Sequence, residues 1–205
     1  LESRPMGPNV ATLIGHSNVR AEVMGMERSL TVSKADPEEV RKMQRLVDDA
    51  LAEGYLGLSI DMLPWHRLDG DPFRGISVPS QHAAASEYRS LASVVRHRDR
   101  VLQATPNALT KSTVATLGMI STGIGRKPLK TTIVAAMDVK TDRKIYKVAT
   151  LLGKVLNGVF NANIRWQALA EPFLNYCDGV HTPLFEEFGT GVNAISATSD
   201  ERKQM

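Results

Sequence analysis

Five times along this chain a short apolar run gives way to a turn and then to a stretch whose apolar residues recur every three or four positions; no two short runs are close enough to form a hairpin. Strands that never meet through a tight turn must be joined by crossovers, and strand–helix alternation of this kind builds a parallel sheet. The first unit is the most informative. In Asn9 to Gly25 the run Val10, Ala11, Leu13, Ile14 stops abruptly at Gly15, His16, Ser17, Asn18 and Arg20. A strand without polar alternation reads as buried on both faces. Polar residues bunched past its C-terminal end are where α/β folds place their chemistry.

The remaining units follow in order. A loop is expected over Met26 to Ala35, then a helix that Asp36 caps and Pro37 opens, with Glu38 and Glu39 at its positive end. Val40, Met43, Leu46, Val47, Ala50 and Leu51 form its apolar stripe, and Gly54 ends it. Leu56 to Ile60 is the second strand, followed by Asp61 and a loop insertion over 62–84 whose first part is rich in Pro, Gly and Asp. A helix over Ala85 to His97 leads to strand Arg100 to Thr105, closed by Pro106. A third long helix runs from Ser112 to Ile120, with Gly123-Ile124-Gly125 as its stop, and strand Leu129 to Met137 follows. Asp142 caps a helix over Lys144 to Phe160 whose Ile145, Val148, Leu151, Leu152, Val155, Leu156 and Val159 are expected to be buried, and the last strand is Asn163 to Leu169.

Two architectures satisfy this pattern: an open doubly wound sheet and part of a (β/α)8 barrel. The phosphate-binding glycine fingerprint of the first is absent, because Gly123-Ile124-Gly125 follows a helix rather than a strand. A complete barrel takes about 250 residues, and 205 residues leave room for roughly five βα units. The reading adopted is an α/β fold, a partial TIM barrel with a parallel sheet, in one domain over 1–205. Leu1 to Pro8 has neither the basic start nor the apolar middle of a secretory leader, and Ser199 to Met205 begins like a helix. The chain is therefore expected to be an internal segment of a longer polypeptide.

Composition narrows the partners. The 25 basic residues are interspersed with 22 acidic ones and aromatics are 5%, so neither a nucleic-acid surface nor a base-stacking platform is expected. No run approaches the roughly 20 apolar residues of a membrane helix. The single Cys177 suits a reducing cytoplasm.

Three stretches carry a family resemblance. IGHSNVRAEVMG (Ile14 to Gly25), DPEEVRKMQRLVDDALAEG (Asp36 to Gly54) and LGLSI (Leu56 to Ile60) look like the middle of N-acyl-D-amino-acid deacylases, the D-aminoacylase type of the amidohydrolase superfamily. There a Gly-His stretch ending in Arg follows one strand, a helix opens with a Pro-Glu-Glu run, and the next strand reads Gly-x-Ser. The resemblance implies a metal-dependent (β/α)8 enzyme that hydrolyses the non-peptide amide C–N bond of an N-acylated amino acid, with zinc as the divalent metal. It departs at the metal ligands. Where the family ends a strand in a metal-binding His this chain has Ala104-Thr105-Pro106, and where another His follows the next strand it has Met137-Asp138-Val139-Lys140. Proline and methionine do not replace imidazole on zinc, so no metal ligand is assigned within this chain.

The candidate site residues each carry a plainer alternative. Arg20, with His16 and Ser17, could hold a substrate carboxylate through a bidentate clamp; equally, Arg20 and His16 could tie down the loop by bonding backbone carbonyls. Asp61 and Asp138 sit where catalytic carboxylates occur, Asp61 being as readily a loop cap. Lys140 could hold a substrate carboxylate or be an exposed loop cation. Glu171 could face the same mouth, and His66 lies on the insertion. His82, His97 and His181 share no ligand spacing with Cys177.

Three functions follow: a deacylase-type hydrolase whose metal ligands lie outside these residues, with the isolated segment inactive; the same scaffold kept as a binding or interaction protein without catalysis; or a doubly wound domain binding an anionic small molecule. Under the barrel reading the exposed strand edges predict self-association or pairing with the remainder of the polypeptide.

Overall fold

The computed structural model describes residues 10–63, 66–106, 111–134 and 145–167. Strand β1 (Leu13–Gly15) runs directly into α1 (His16–Met24), followed by α2 (Met26–Thr31) and α3 (Pro37–Ala52). Then come β2 (Gly57–Asp61), a 3-10 turn (Pro79–His82), α4 (Ala85–His97), β3 (Val101–Thr105), α5 (Lys111–Ser121), β4 (Lys130–Val134), α6 (Ile145–Val159) and β5 (Asn163–Gln167). All five strands are parallel and lie in the order β1-β2-β3-β4-β5.

That order decides between the two architectures. A doubly wound sheet has a point where strand order reverses, and none occurs among the five described strands. Right-handed crossovers between successive neighbours lay every helix on one face, which is the winding of a barrel wall. The doubly wound reading is thereby overturned.

Register makes the two faces of the sheet unlike. Leu58, Leu102, Thr131 and Ile164 are aligned across four strands, as are Ile60, Ala104, Ile133 and Trp166. These rows meet the helices, and together with Met43, Val47 and Leu51 of α3, Leu91 and Val95 of α4, and Leu117 and Ile120 of α5 they form the core. The alternate rows, Gly57-Val101-Lys130-Asn163 and Ser59-Gln103-Thr132-Arg165, face the other way. Gly57 allows β2 and β3 to approach: a Cβ there would fall 1.7 Å from the Val101 carbonyl oxygen.

Local chemistry fixes the helix starts. Asp36 accepts from the backbone N–H groups of Glu38 and Glu39 (2.9 and 2.8 Å), and the Glu39 carboxylate accepts from Asp36 N–H (2.8 Å), a closed capping box ahead of Pro37.

Three expectations need correction. Met26 to Ala35 is not all loop, since Gly25 at φ 76° breaks the chain between two helices and α2 occupies Met26–Thr31. Strand β1 is half-buried rather than sealed on both faces, because it is the edge of the described sheet. In α6 the stripe is only partly covered: Leu152 and Leu156 are half-buried, but Val148, Leu151, Val155 and Val159 are exposed. Glycine is what brings α6 down onto the sheet, and it does so on the other flank: at Gly153 a Cβ would lie 2.6 Å from Trp166 Nε1. Asp138, Lys140, Met137, Asp142, Glu171, Cys177 and His181 lie outside the described residues.

Candidate functional site

Parallel winding brings the C-terminal ends of the strands to one edge, where Gly15, Asp61, Thr105, Val134 and Gln167 end β1 to β5. Among the described residues the side-chain contacts at the first two ends are the following. His16, Arg20 and Glu87 form a buried ionic cluster joining α1 to α4: His16 Nε2 donates to Glu87 Oε1 (2.9 Å), and Arg20 Nη1 donates to Glu87 Oε2. The remaining guanidinium contacts are backbone carbonyls, Nε to Ser29 (3.1 Å) and Nη2 to Val32. His16 and Arg20 are both 0% exposed. Burial alone would push the Glu87 carboxyl up, but hydrogen bonds from His16 and Arg20 and their charges outweigh it and hold the group below the ordinary glutamate value. Beside it the Tyr88 phenol is pushed up, chiefly by burial and then by the Glu87 charge, and its O–H donates to the Ser80 carbonyl.

These placements bear on the carboxylate-clamp expectation. Arg20 ties Ser29 and Val32 of the α2 segment to α4, the structural alternative set out above, and its donors face Glu87 and carbonyls rather than open space. Ser17 Oγ accepts from the Ser80 backbone N–H (3.1 Å), so it anchors the 3-10 turn across the strand ends.

Asp61 does more than cap. Its carboxylate accepts from Leu63 N–H (2.9 Å) and from His66 Nδ1, while its carbonyl accepts from Ser80 Oγ (2.6 Å) and Gln81 Nε2 (3.0 Å). The insertion is folded to deliver this contact: Arg67 pairs with Ser77 in an antiparallel bridge, Leu68 N–H donates to Ile76 O (2.8 Å), and Val78 N–H donates to His66 O (3.1 Å). Both members of the Asp61–His66 pair are about one-third exposed (30% and 33%). A carboxylate that orients an imidazole at a strand end can exchange a proton with a ligand there.

The other histidines do not join them. His82 Nε2 bonds the Ser77 carbonyl (3.2 Å), and His97 lies in the last turn of α4 near Asp48 of α3. Among the described residues no three His, Cys, Asp or Glu side chains gather in a way that could hold a metal ion. Asp61 and His66 offer two donors, and β3 ends in Thr105 and then Pro106. The described strand ends therefore do not fit a zinc site. Among the described residues no helix is long and apolar enough to cross a membrane.

One set of polar residues escaped sequence reasoning. Ser59, Gln103, Thr132 and Arg165 share one register line on the face away from the helices, and Gln167 Nε2 donates to Thr132 Oγ1 (3.1 Å). The signal was present in the alternation of Leu58-Ser59-Ile60-Asp61, Leu102-Gln103-Ala104-Thr105 and Ile164-Arg165-Trp166-Gln167.

No protein-family model matches the chain. Uncharacterized proteins of Mycobacterium tuberculosis (strain H37Rv) and Mycobacterium bovis are each 37% identical to it over 198 residues, covering 95% of this chain and 32% of the relative. The chain thus spans about a third of the length of the curated relatives it matches. Among solved structures, a D-aminoacylase, described as defining a novel subset of amidohydrolases, matches with a TM-score of 0.57 at 22% identity over 82% of this chain and 32% of its own. N-acyl-D-glutamate deacylase from Bordetella bronchiseptica, complexed with zinc and a phosphonate inhibitor, matches with a TM-score of 0.55 at 20% identity, covering 83% of this chain and 32% of its own. The likeness is one of fold: the five strands and their helices form part of a TIM barrel of the kind these amidohydrolases have.

Proposed function

We propose that this chain is a barrel segment of an amidohydrolase-type enzyme that hydrolyses the amide C–N bond of an N-acylated amino acid. The observation that carries the reading is the singly wound parallel sheet, which follows the path of the D-aminoacylases and gathers polar groups at the C-terminal strand ends and on the inner face. In this reading Asp61 and His66 are the proton-carrying pair of the mouth. His16, Arg20 and Ser17, with Glu87 and Ser80, hold the β1 and β2 ends in place around it. Asp138 and Lys140, which lie outside the described residues and follow β4 in sequence, are proposed on sequence position alone as a further carboxylate and cation. A divalent metal such as zinc would polarise the amide carbonyl. Its ligands are assigned to the rest of a longer polypeptide on the sequence departures at Pro106 and Met137; among the described residues no three donors gather for it.

A second reading, the same scaffold retained for binding without hydrolysis, is favoured by Pro106 at the β3 end and by the lack of a three-ligand cluster among the described residues. Elemental analysis separates the two when combined with assays on N-acyl-D-amino acids, run on the full-length protein and on the 205-residue chain side by side. The hydrolase reading expects metal and amide hydrolysis in the longer form and neither in the segment. Metal-free, inactive full-length protein would select the binding scaffold, and hydrolysis by the segment alone would overturn the assignment of its ligands elsewhere. The open edges of the sheet also predict that the isolated segment self-associates at micromolar concentration. A monodisperse monomer in sedimentation would count against a partial wall.

A further inference from the structure

The interior of a (β/α)8 barrel is ordinarily packed with bulky branched apolar side chains. The middle row of this wall is instead Ser59, Gln103, Thr132 and Arg165, one polar residue from each of four adjacent strands. Among the described strand residues two cations stand on the inner face. Lys130, one step nearer the N-terminal end, is paired with Asp99 (3.0 Å). Arg165 is exposed, and its Nη1 donates only to the carbonyl of its own neighbour Ile164 (3.3 Å); no carboxylate among the described residues pairs with it. Ile164 and Trp166 on either side pack toward the helices, so the strand's pleat commits Arg165 to the lumen.

Closing the barrel encloses that guanidinium, and an enclosed charge without a partner costs several kcal/mol unless a counter-charge reaches it. The residue paired with it on β4 supplies a donor. Thr132 is the register partner of Arg165, and its Oγ1 already accepts from Gln167 Nε2 (3.1 Å), which leaves its own O–H to donate. A planar guanidinium beside a hydroxyl donor matches a carboxylate in shape and charge. We propose that Arg165, with Thr132 beside it, binds the carboxylate of a small-molecule ligand inside the barrel. The inference rests on the reading of these strands as part of a closed barrel and names the residue that selects an acidic ligand over its neutral amide.

The test uses the full-length protein with Arg165→Met and Arg165→Lys, and the probes N-acetyl-D-leucine and N-acetyl-D-leucinamide, read by calorimetric binding and thermal unfolding. The expected result is that the acid, and not the amide, binds the parent protein. Arg165→Met weakens that binding by about ten- to a hundredfold, the loss appropriate to a charge-assisted hydrogen bond, while leaving the melting temperature unchanged or higher; Arg165→Lys restores part of the affinity. A melting temperature lowered by both variants with acid binding intact would make Arg165 the counter-ion of another wall carboxylate and overturn the proposal. Equal binding of acid and amide, or of neither, would overturn it as well. Hydrolysis is scored separately: retained hydrolysis with an unchanged KM in Arg165→Met removes the inference and leaves the hydrolase reading. Arg165-dependent acid binding without hydrolysis does the reverse.

Discussion

Helices α3 and α6 are both amphipathic by spacing, yet Met43, Val47 and Leu51 of α3 are sealed against α4 and the sheet, whereas Val148, Leu151 and Val159 of α6 are 65%, 63% and 71% exposed. The contrast extends to the regions around them. The first is cross-linked by polar side chains from distant parts of the chain: Glu87 holds His16 and Arg20, Ser80 reaches Ser17 and Asp61, and Arg98 forms a bidentate pair with Asp48 (2.6 and 2.6 Å). Around α6 the anchors among the described residues are Asn157 bridging to the Ile164 backbone (2.9 and 2.8 Å), Gly123 N–H donating to the Phe160 carbonyl (3.2 Å) and Trp166 packing on Gly153. Spacing tells a helix which of its faces is apolar; what covers that face is decided by the neighbours the topology supplies.

The largest effect is expected at Glu87. Removing its carboxylate strands the Arg20 guanidinium in a fully buried site, so Glu87→Ala should cost about 3–5 kcal/mol in chemical denaturation. A loss below about 1 kcal/mol would show that the cluster does not hold the first region together. The pH dependence has a definite sign. A carboxyl whose folded pKa is lowered contributes stability that is complete above the unfolded value of about 4.3 and is lost as pH falls through the folded one. The gap between the parent protein and Glu87→Gln should therefore narrow below about pH 4, and a gap that widens on acidification would contradict the ionised cluster.

Gly153→Ala probes the second region. Alanine gains about 1 kcal/mol of helix propensity, but its Cβ would sit 2.6 Å from Trp166 Nε1. Overpacking of that kind costs about 1–3 kcal/mol, so a net loss on the order of 1 kcal/mol is expected. In a Trp166→Leu background the same change should become neutral or stabilising, and additivity of the two substitutions would show that the ring does not set the approach of α6. A similar loss, about 1 kcal/mol, is expected for Asp36→Ala, which opens the capping box of α3.

Local signals were strong enough to read most of the elements and their order. Asp36-Pro37-Glu38-Glu39 announces its helix in full, and α4 occupies the span its apolar spacing marks, Ala85–His97. The short α2 was not legible, because six residues carry less than two turns of pattern and the break at Gly25 depends on a backbone angle. At the strand ends, the positions of the candidate residues were legible but their connections were not. His16, Arg20 and Asp61 stood out at the strand ends, while their main partners, Glu87 71 and 67 residues away and Ser80 19 residues from Asp61, depend on how the insertion folds back. The inner row is not legible from β1, which has no polar alternation; it emerges when the polar positions of β2, β3, β4 and β5 are set in register.

The smallest expected effect is the sharpest test of the difference between the two helices. Leu151→Gln on α6 replaces an exposed apolar side chain and should change stability by no more than about 0.5 kcal/mol, whereas Leu51→Gln on α3 places an amide in the core and should cost about 3 kcal/mol or more. The two residues are alike in type and both belong to apolar stripes, so intrinsic propensity contributes equally to each substitution and cancels between them. What is left is the covering layer. A cost at Leu151 approaching that at Leu51 would mean that the outer face of α6 is covered in solution as fully as the face of α3.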